Sequence, residues 1–238
     1  QQTSQQSSEP QAASEPVVYE QQNVRSISVN LLVPAAAIED LLPEDCRLQT
    51  VDSQDGLMAP VWISVNQTPT ANLPIQDNIY HQFLLGTVVE FQGETYAYPI
   101  FRIVDDPFVH RVFPQLTPQR ALRGEIEFIN EADFASATVT MDNARMISIK
   151  VQKSGPAQGV EDRPMLVHLF IPGNSPQDPP RRSQLHTNVM SNILVHDDAQ
   201  GNAEIELIPG NNEILGRIIN YQIVGGIFQR RNYDYVMN

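Results

Sequence analysis

Apolar and polar residues alternate along most of this chain with a period of two, the signature of half-buried strands. Ile27, Val29 and Leu31 alternate with Ser26, Ser28 and Asn30, and Pro34 ends that run. The same pattern predicts a strand from Val61 to Val65 and a long hairpin, Ile79 to Phe91 and Thr95 to Val104, about Gln92-Gly93. Later strands are predicted at Glu125 to Ile129, Phe134 to Met141 and Met146 to Val151, with Met141-Asp142-Asn143-Ala144 as a turn. Met165 to Ile171, Asn192 to His196, Ala203 to Ile208 and Ile218 to Phe228 complete the set. Two short stretches switch to helical spacing. Pro34 starts one, with Ala37, Ile38, Leu41 and Leu42 on one face and Pro43 closing it. Asp106 caps the other, Pro107 starts it, and Phe108, Val109, Val112 and Phe113 give it an apolar face up to Pro114. Many strands against two short helices predict a mainly β fold with a closed or nearly closed antiparallel sheet, because closure removes exposed edges.

Between these elements, Gln67 to Asn78 and Pro172 to Asn188 read as long proline-bearing loops, a length used by lids, by oligomer contacts and by plain surface. The opening stretch QQTSQQSSEPQAASEP has no aromatic or β-branched aliphatic residue to bury. Residues 1–22 are therefore expected to be a disordered polar tail, and 23–238 a single β domain. A polar start without methionine suits a secreted, periplasmic or envelope-tethered protein, and suits a shortened chain equally well.

The charge narrows the partners. With 28 acidic against 15 basic residues, the net charge of -13 repels nucleic acid and anionic membrane. No apolar run approaches the roughly 18 residues of a membrane span. The single cysteine, Cys46, excludes an intrachain disulfide and is expected to be a semi-buried structural thiol. The histidines show no metal-ligand spacing, and neither a phosphate-binding loop nor a nucleophile elbow occurs, so no metal and no cofactor is expected. Glu90, Glu94, Glu125 and Glu127 lie near hairpin ends and predict a solvated acidic face, whereas Tyr96 and Tyr98 share a strand face suited to core packing.

The order of these motifs resembles the acetoacetate decarboxylase superfamily. PAAAIEDLLPEDCRL, YHQFLLGTVVEFQGETYAYPIFRIVDDP, the helix after that proline, then GEIEF, SATVTM and IPGNSPQDPPRRSQL follow the family's order from about Val24 to Tyr235. The resemblance implies a curved, mostly antiparallel β-barrel or cone around a small cavity, commonly in homo-oligomers; the long Pro172 to Asn188 loop and the apolar NYQIVGGIF strand supply surface for such association. It also implies an imine-forming lysine after the second helix, in a Pro-Lys-Lys run. The corresponding stretch, Phe113 to Leu122, contains no lysine, and its Arg120 stays protonated and is no nucleophile. Of the two lysines in the chain, Lys150 points away from Ile147, Ile149 and Val151, and Lys153, before Ser154-Gly155-Pro156, is expected to be a solvated strand-end amine.

The family's two pocket carboxylates correspond to Gln82 and to the apolar run near Trp62, and a glutamine keeps hydrogen bonds but moves no proton. Arg25 matches a cavity arginine of the family, where its fork would meet a ligand carboxylate; read without the resemblance it is a surface arginine at a strand start. His81 alternates with Gln82, so if Gln82 faces the cavity His81 faces away. The expectation is thus an acetoacetate-decarboxylase-like barrel without the catalytic lysine, holding a small, partly apolar ligand against Arg25, Trp62, Gln82 and Arg120. The alternative is a non-imine enzyme of the same superfamily, a hydratase, dehydratase or cyclase on an oxo acid, and so a lyase.

Overall fold

The computed structural model describes residues 17–70, 74–75, 78–116, 121–153, 158–159, 165–171, 181–187, 194–198 and 203–237. The first half of the chain forms strands β1 (Val17–Pro34), β2 (Arg47–Leu48), β3 (Val51–Ser53), β4 (Gly56–Pro69), β5 (Ile79–Phe91) and β6 (Glu94–Val104), followed by helix α1 (Pro107–Leu116). Next come β7 (Ala121–Arg123), β8 (Glu125–Asn130), β9 (Phe134–Met141), β10 (Ala144–Gln152), β11 (Gln158–Gly159) and β12 (Met165–Ile171). The chain finishes with β13 (Arg181–Thr187), β14 (Leu194–Asp198), β15 (Glu204–Leu207), helix α2 (Glu213–Arg217) and β16 (Gln222–Met237).

The larger sheet has the order β1-β4-β5-β6-β12-β13-β16-β14-β11, and β1 also pairs with β16, so the strand order returns on itself. Its narrowest seam lies between β6 and β12, which are joined in parallel at Ala97 and Leu169. The smaller sheet, β15-β10-β9-β8, packs on one face of the larger. Ile27, Val65, Phe83 and Ile103 form one rung across β1, β4, β5 and β6, and Val29, Ile63, Leu85 and Phe101 form the next. These residues are buried against Val139, Ile147 and Ile149 of the smaller sheet. Each such side chain contributes roughly 1.5–3 kcal/mol on leaving water, so this interface is the main source of stability.

Several expected elements are present with their expected chemistry. Asp106 Oδ1 accepts from the backbone N–H of Phe108 at 2.8 Å and of Val109 at 2.9 Å, capping α1 as its sequence predicts. The two tight hairpins need left-handed backbone at both turn residues, and Gln92 and Gly93 (φ 52° and 81°) and Asp142 and Asn143 (φ 50° and 62°) supply it.

Other expectations are corrected. The expected tail reaches residue 22, but β1 begins at Val17; residues 1–16 lie outside the described ones. Asn23, at φ 56°, sits in a register shift between Gln21 and Val24, which breaks the alternation by which the sequence reveals the strand. The stretch between Pro34 and Pro43 makes two 3₁₀ turns, Ala35–Ala37 and Glu39–Leu41, because two prolines leave too few residues for a stable α-helix. Helix α1 runs past Pro114 to Leu116. The expected Pro172 to Asn188 loop contains β13, a polar segment made a strand by its neighbours β12 and β16 rather than by its own alternation; its other residues lie outside the described ones. The expected Gln67 to Asn78 loop begins later, since β4 continues to Pro69. The strand expected from Ile218 starts at Gln222, after α2, whose cap Asn212 accepts from the Leu215 N–H at 3.0 Å.

Candidate ligand-binding site

The sheet face opposite the core is polar. Alternation turns every second residue of β1, β4, β5 and β6 away from the smaller sheet, and strand register lines these residues up in rungs. Ser26, Asn66, Gln82 and Val104 form one rung, and Ser28, Ser64, Leu84 and Arg102 the next. Asn30, Trp62 and Gly86 form a third. Beyond the first rung Thr68 opposes Tyr80, and there Val109 of α1 packs with Tyr80, Val104, Ala121 and Ile75, so the helix roofs one end of the polar face.

Most of this face is buried: Ser26, Ser64, Asn66, Gln82 and Arg102 are between 0% and 6% exposed. The hydroxyls form a connected network. Ser28 Oγ donates to Ser64 Oγ at 3.1 Å, Ser64 Oγ donates to Asn66 Oδ1 at 3.0 Å, and Ser26 Oγ lies 3.1 Å from Ser64 Oγ. Gln82 Oε1 and Thr68 Oγ1, by contrast, are buried without a hydrogen-bond partner. Arg102 brings a permanent positive charge to the second of these rungs. Trp62 is half-buried and its ring lies on Gly86, where an added Cβ would come within 2.2 Å of Trp62 Cζ2. Glycine is required there by close approach of the indole.

Of the four residues expected at the site, the structure brings Trp62 and Gln82 to this face, with one rung between them. Arg25 is placed elsewhere. It pairs with Gln67, which pairs with His81, on the face opposite Gln82. Arg25 is exposed, and its Nη1 donates to Gln67 Oε1 at 3.1 Å. Arg120 lies outside the described residues. Arg102, Ser64 and Asn66 were not anticipated. A charged residue inside the apolar run YAYPIFRIV is the signal that marks Arg102, and the Ser and Asn alternation in WISVNQ marks the other two.

On the opposite face, His81 is engaged on both ring nitrogens. Nδ1 lies 2.6 Å from Asp105 Oδ2, and Nε2 lies 3.2 Å from Gln67 Nε2. A neutral ring protonated on Nδ1 satisfies both contacts, donating to Asp105 and accepting from the amide. Its Nε2 lone pair is therefore already in use. Lys153 is not the freely solvated amine expected: Nζ donates to Asn130 Oδ1 at 2.5 Å and to the Glu131 carbonyl, and lies 4.3 Å from the centroid of Phe228. Burial, and then the Arg25 charge, lower its pKa from the ordinary lysine value. Lys150 sits over Phe134 at 4.8 Å on the smaller sheet. Cys46 is half-buried, and burial pushes its thiol up to about 11. Glu90, Glu94, Glu125 and Glu127 are exposed, and Tyr96 and Tyr98 are buried in a cluster under the hairpin tip. Among the described residues, no group of three or more His, Cys, Asp and Glu side chains is placed to hold a metal ion. Nor is any helix long and apolar enough to cross a membrane.

A mostly antiparallel sheet that curls back on itself, backed by a small second sheet, is the architecture of the acetoacetate decarboxylase-like proteins. The chain is similar to an acetoacetate decarboxylase-like enzyme from Sphingomonas wittichii RW1, at 16% identity over 92% of both chains with a TM-score of 0.61. It is similar to acetoacetate decarboxylase from Legionella pneumophila subsp. pneumophila str. Philadelphia 1, at 14% identity over 96% of this chain and 89% of that one, with a TM-score of 0.65. The enduracididine biosynthesis enzyme MppR, complexed with pyruvate, matches at 14% identity over 95% of this chain and 90% of that one, with a TM-score of 0.60. No family model and no curated protein matches the sequence. The chain thus has the acetoacetate decarboxylase-like fold, a scaffold that its neighbours use under more than one enzyme name.

Proposed function

We propose that this chain binds a small carboxylate-bearing ligand on the polar sheet face, without imine chemistry. Arg102 is the anion contact, Gln82 and Asn66 are the neutral polar contacts, and Trp62 is the apolar wall. The observation that carries this reading is the place of Arg102, whose buried guanidinium shares one sheet face with Trp62, Asn66 and Gln82. A carboxylate matches a guanidinium fork at two points. The lysines support the non-imine part. Lys150 belongs to β10 and Lys153 follows it, on the smaller sheet, and Lys153 is held by Asn130 and Glu131.

A binding role is favoured over a lyase by what the three rungs offer. They hold serines, amides, an arginine and apolar groups. None of these shuttles protons near neutral pH. Tyr80, one rung beyond Gln82, is enclosed by the apolar cluster beneath α1. Titration calorimetry with butyrate tests the reading. Arg102→Met is expected to weaken binding by about 1.5–3 kcal/mol, the usual worth of a hydrogen bond to a charged group. If wild type binds butyrate and the variant binds it equally well, the anion contact lies elsewhere and the reading fails.

A further inference from the structure

We infer that the ligand of this face is a sugar acid, a chain acid bearing several hydroxyl groups, and that these hydroxyls meet Gln82, Thr68 and Thr70; the inference rests on the carboxylate reading above and names the rest of the ligand. Its starting point is where unsatisfied polar atoms fall. Gln82 Oε1, Thr68 Oγ1 and Thr70 Oγ1 are all buried without a hydrogen-bond partner. Gln82 is 2% exposed and Thr68 0%, while Thr70 is half-buried. A single such atom needs only a local cause, but several in a row along one sheet face form a strip of unmet donors and acceptors.

Register puts them in that row. Gln82 opposes Asn66, Tyr80 opposes Thr68, and the Thr70 N–H donates to the Asn78 carbonyl at 2.7 Å, so the ladder carries on through Thr70. Asn66, Thr68 and Thr70 stand at alternate positions and share the face of Gln82. Arg102 lies one rung the other way, opposite Leu84. From the Arg102 rung to the Thr68 rung is two steps of about 6.6–6.8 Å each, part of which the long Arg102 and Gln82 side chains span. A ligand held by its carboxylate at Arg102 therefore meets Gln82 and then Thr68 only if a substituted carbon chain extends from that carboxylate. The strip ends beneath α1, where Tyr80 packs with Val109 in a small cluster separate from the main core. Helix α1 must lift there to admit the chain.

The chemistry of the strip then selects hydroxyl groups. A methylene chain would leave all of these atoms unmet, and a keto or ether oxygen, having only lone pairs, could not serve Gln82 Oε1. An ammonium group could donate to each of them, but it would carry a charge to a row of neutral oxygens, and burying a charge costs far more than burying a hydroxyl. A hydroxyl donates and accepts at once. It therefore matches the Thr68 and Thr70 hydroxyls whichever way their protons turn, and the Gln82 amide in either orientation. A site whose buried polar atoms match ligand hydroxyls rejects an analogue that lacks them much more strongly than an apolar pocket discriminates by size.

The test is calorimetry on the intact chain with gluconate, hexanoate, 6-aminohexanoate and butyrate, repeated on Thr68→Val, which keeps the side-chain shape and removes the hydroxyl. Gluconate is expected to bind about tenfold or more tightly than hexanoate and 6-aminohexanoate, with butyrate reporting the carboxylate contact alone. Thr68→Val is expected to lower the gluconate-to-butyrate affinity ratio about fivefold or more, while the Tm of the ligand-free variant holds or rises, because a methyl replaces an unmet buried hydroxyl. Hexanoate or 6-aminohexanoate binding as tightly as gluconate overturns the hydroxyl assignment and leaves the carboxylate reading standing. A ratio unchanged in Thr68→Val overturns the role given to Thr68, and a Tm that falls with the ratio unchanged shows that its hydroxyl holds the fold instead, through an internal water. Absence of binding by all four acids removes the carboxylate reading and this inference with it.

Discussion

The two faces of one sheet, β1-β4-β5-β6, differ as much as two proteins. On one face the rungs read Ile27, Val65, Phe83, Ile103 and Val29, Ile63, Leu85, Phe101; on the other they read Ser26, Asn66, Gln82, Val104 and Ser28, Ser64, Leu84, Arg102. Apart from the half-buried Ser28, the residues of both sets are buried. Burial alone therefore does not distinguish core from site, but the chemistry of what is buried does. The apolar face draws its stability from area removed from water, whereas the polar face must satisfy each donor and acceptor one at a time and leaves Gln82 Oε1 unmet. Such a face is retained at a cost in stability, the pattern expected where a protein binds something.

The sharpest way to break this contrast is to truncate one residue on each face. Phe83→Ala removes a fully buried ring that packs edge-to-face on Phe101, with centroids 6.0 Å apart, and is expected to cost about 3–5 kcal/mol in urea denaturation. Ser64→Ala removes the hub of the hydroxyl network and strands the contacts of Ser28 and Asn66, for an expected loss of about 1–3 kcal/mol. If Ser64→Ala proves as costly as Phe83→Ala, the polar face is a second core and not a site.

A smaller effect is expected where the polar face meets its apolar wall. At Gly86 an added methyl would collide with Trp62, so Gly86→Ala must displace the indole, at an expected cost of about 1–3 kcal/mol. Trp62 is the chain's single tryptophan, and its emission reports the displacement directly. A red-shifted maximum together with weaker butyrate binding is the expected outcome. An unshifted spectrum would show that Trp62 is free to move and is no wall.

How much of this was legible beforehand follows the same division. Strand alternation revealed the apolar rungs, because Ile, Val, Phe and Leu recur at every second position whatever the register. The opposed orientation of His81 and Gln82 was legible for the same reason. The membership of the polar face was not, since it depends on which strands are neighbours, and register shifts between Leu85 and Gly86 and between Asn30 and Leu31 interrupt simple counting. Arg25 shows the difficulty. Its resemblance-based match is one residue from Ser26, and in a strand one residue is the whole difference between the two faces. The first residues of β1 were hidden because their partner is the far end of β16, as in the pairing of Val17 with Met237, which no local pattern reveals. Helix α2 was readable in principle: Asn212 before Glu213-Ile214-Leu215 is a capping signal.

The smallest expected effect belongs to neither face. Asp40, in the 3₁₀ turn Glu39–Leu41, meets Arg217 of α2, with Arg217 Nη1 donating to Asp40 Oδ1 at 2.5 Å. The hydrogen bond from Arg217, followed by opposing burial and the guanidinium charge, holds the Asp40 pKa below its ordinary value of 3.8. A carboxyl whose pKa is depressed on folding adds stability that is present in full above the unfolded value and is lost as pH falls through the folded one. The contribution of this pair is therefore constant from neutrality down to about pH 5 and disappears on acidification below roughly pH 4. Both side chains are well exposed, so water and salt screen the attraction. Asp40→Asn is expected to lower Tm by less than about 2 °C at pH 7, with the gap from wild type closing as the pH is taken below 4. Thermal melts at pH 7, 5 and 3 measure this, and a gap that widens in acid would mean that Asp40 is stabilised by its protonated form and that the Arg217 contact does not hold in solution.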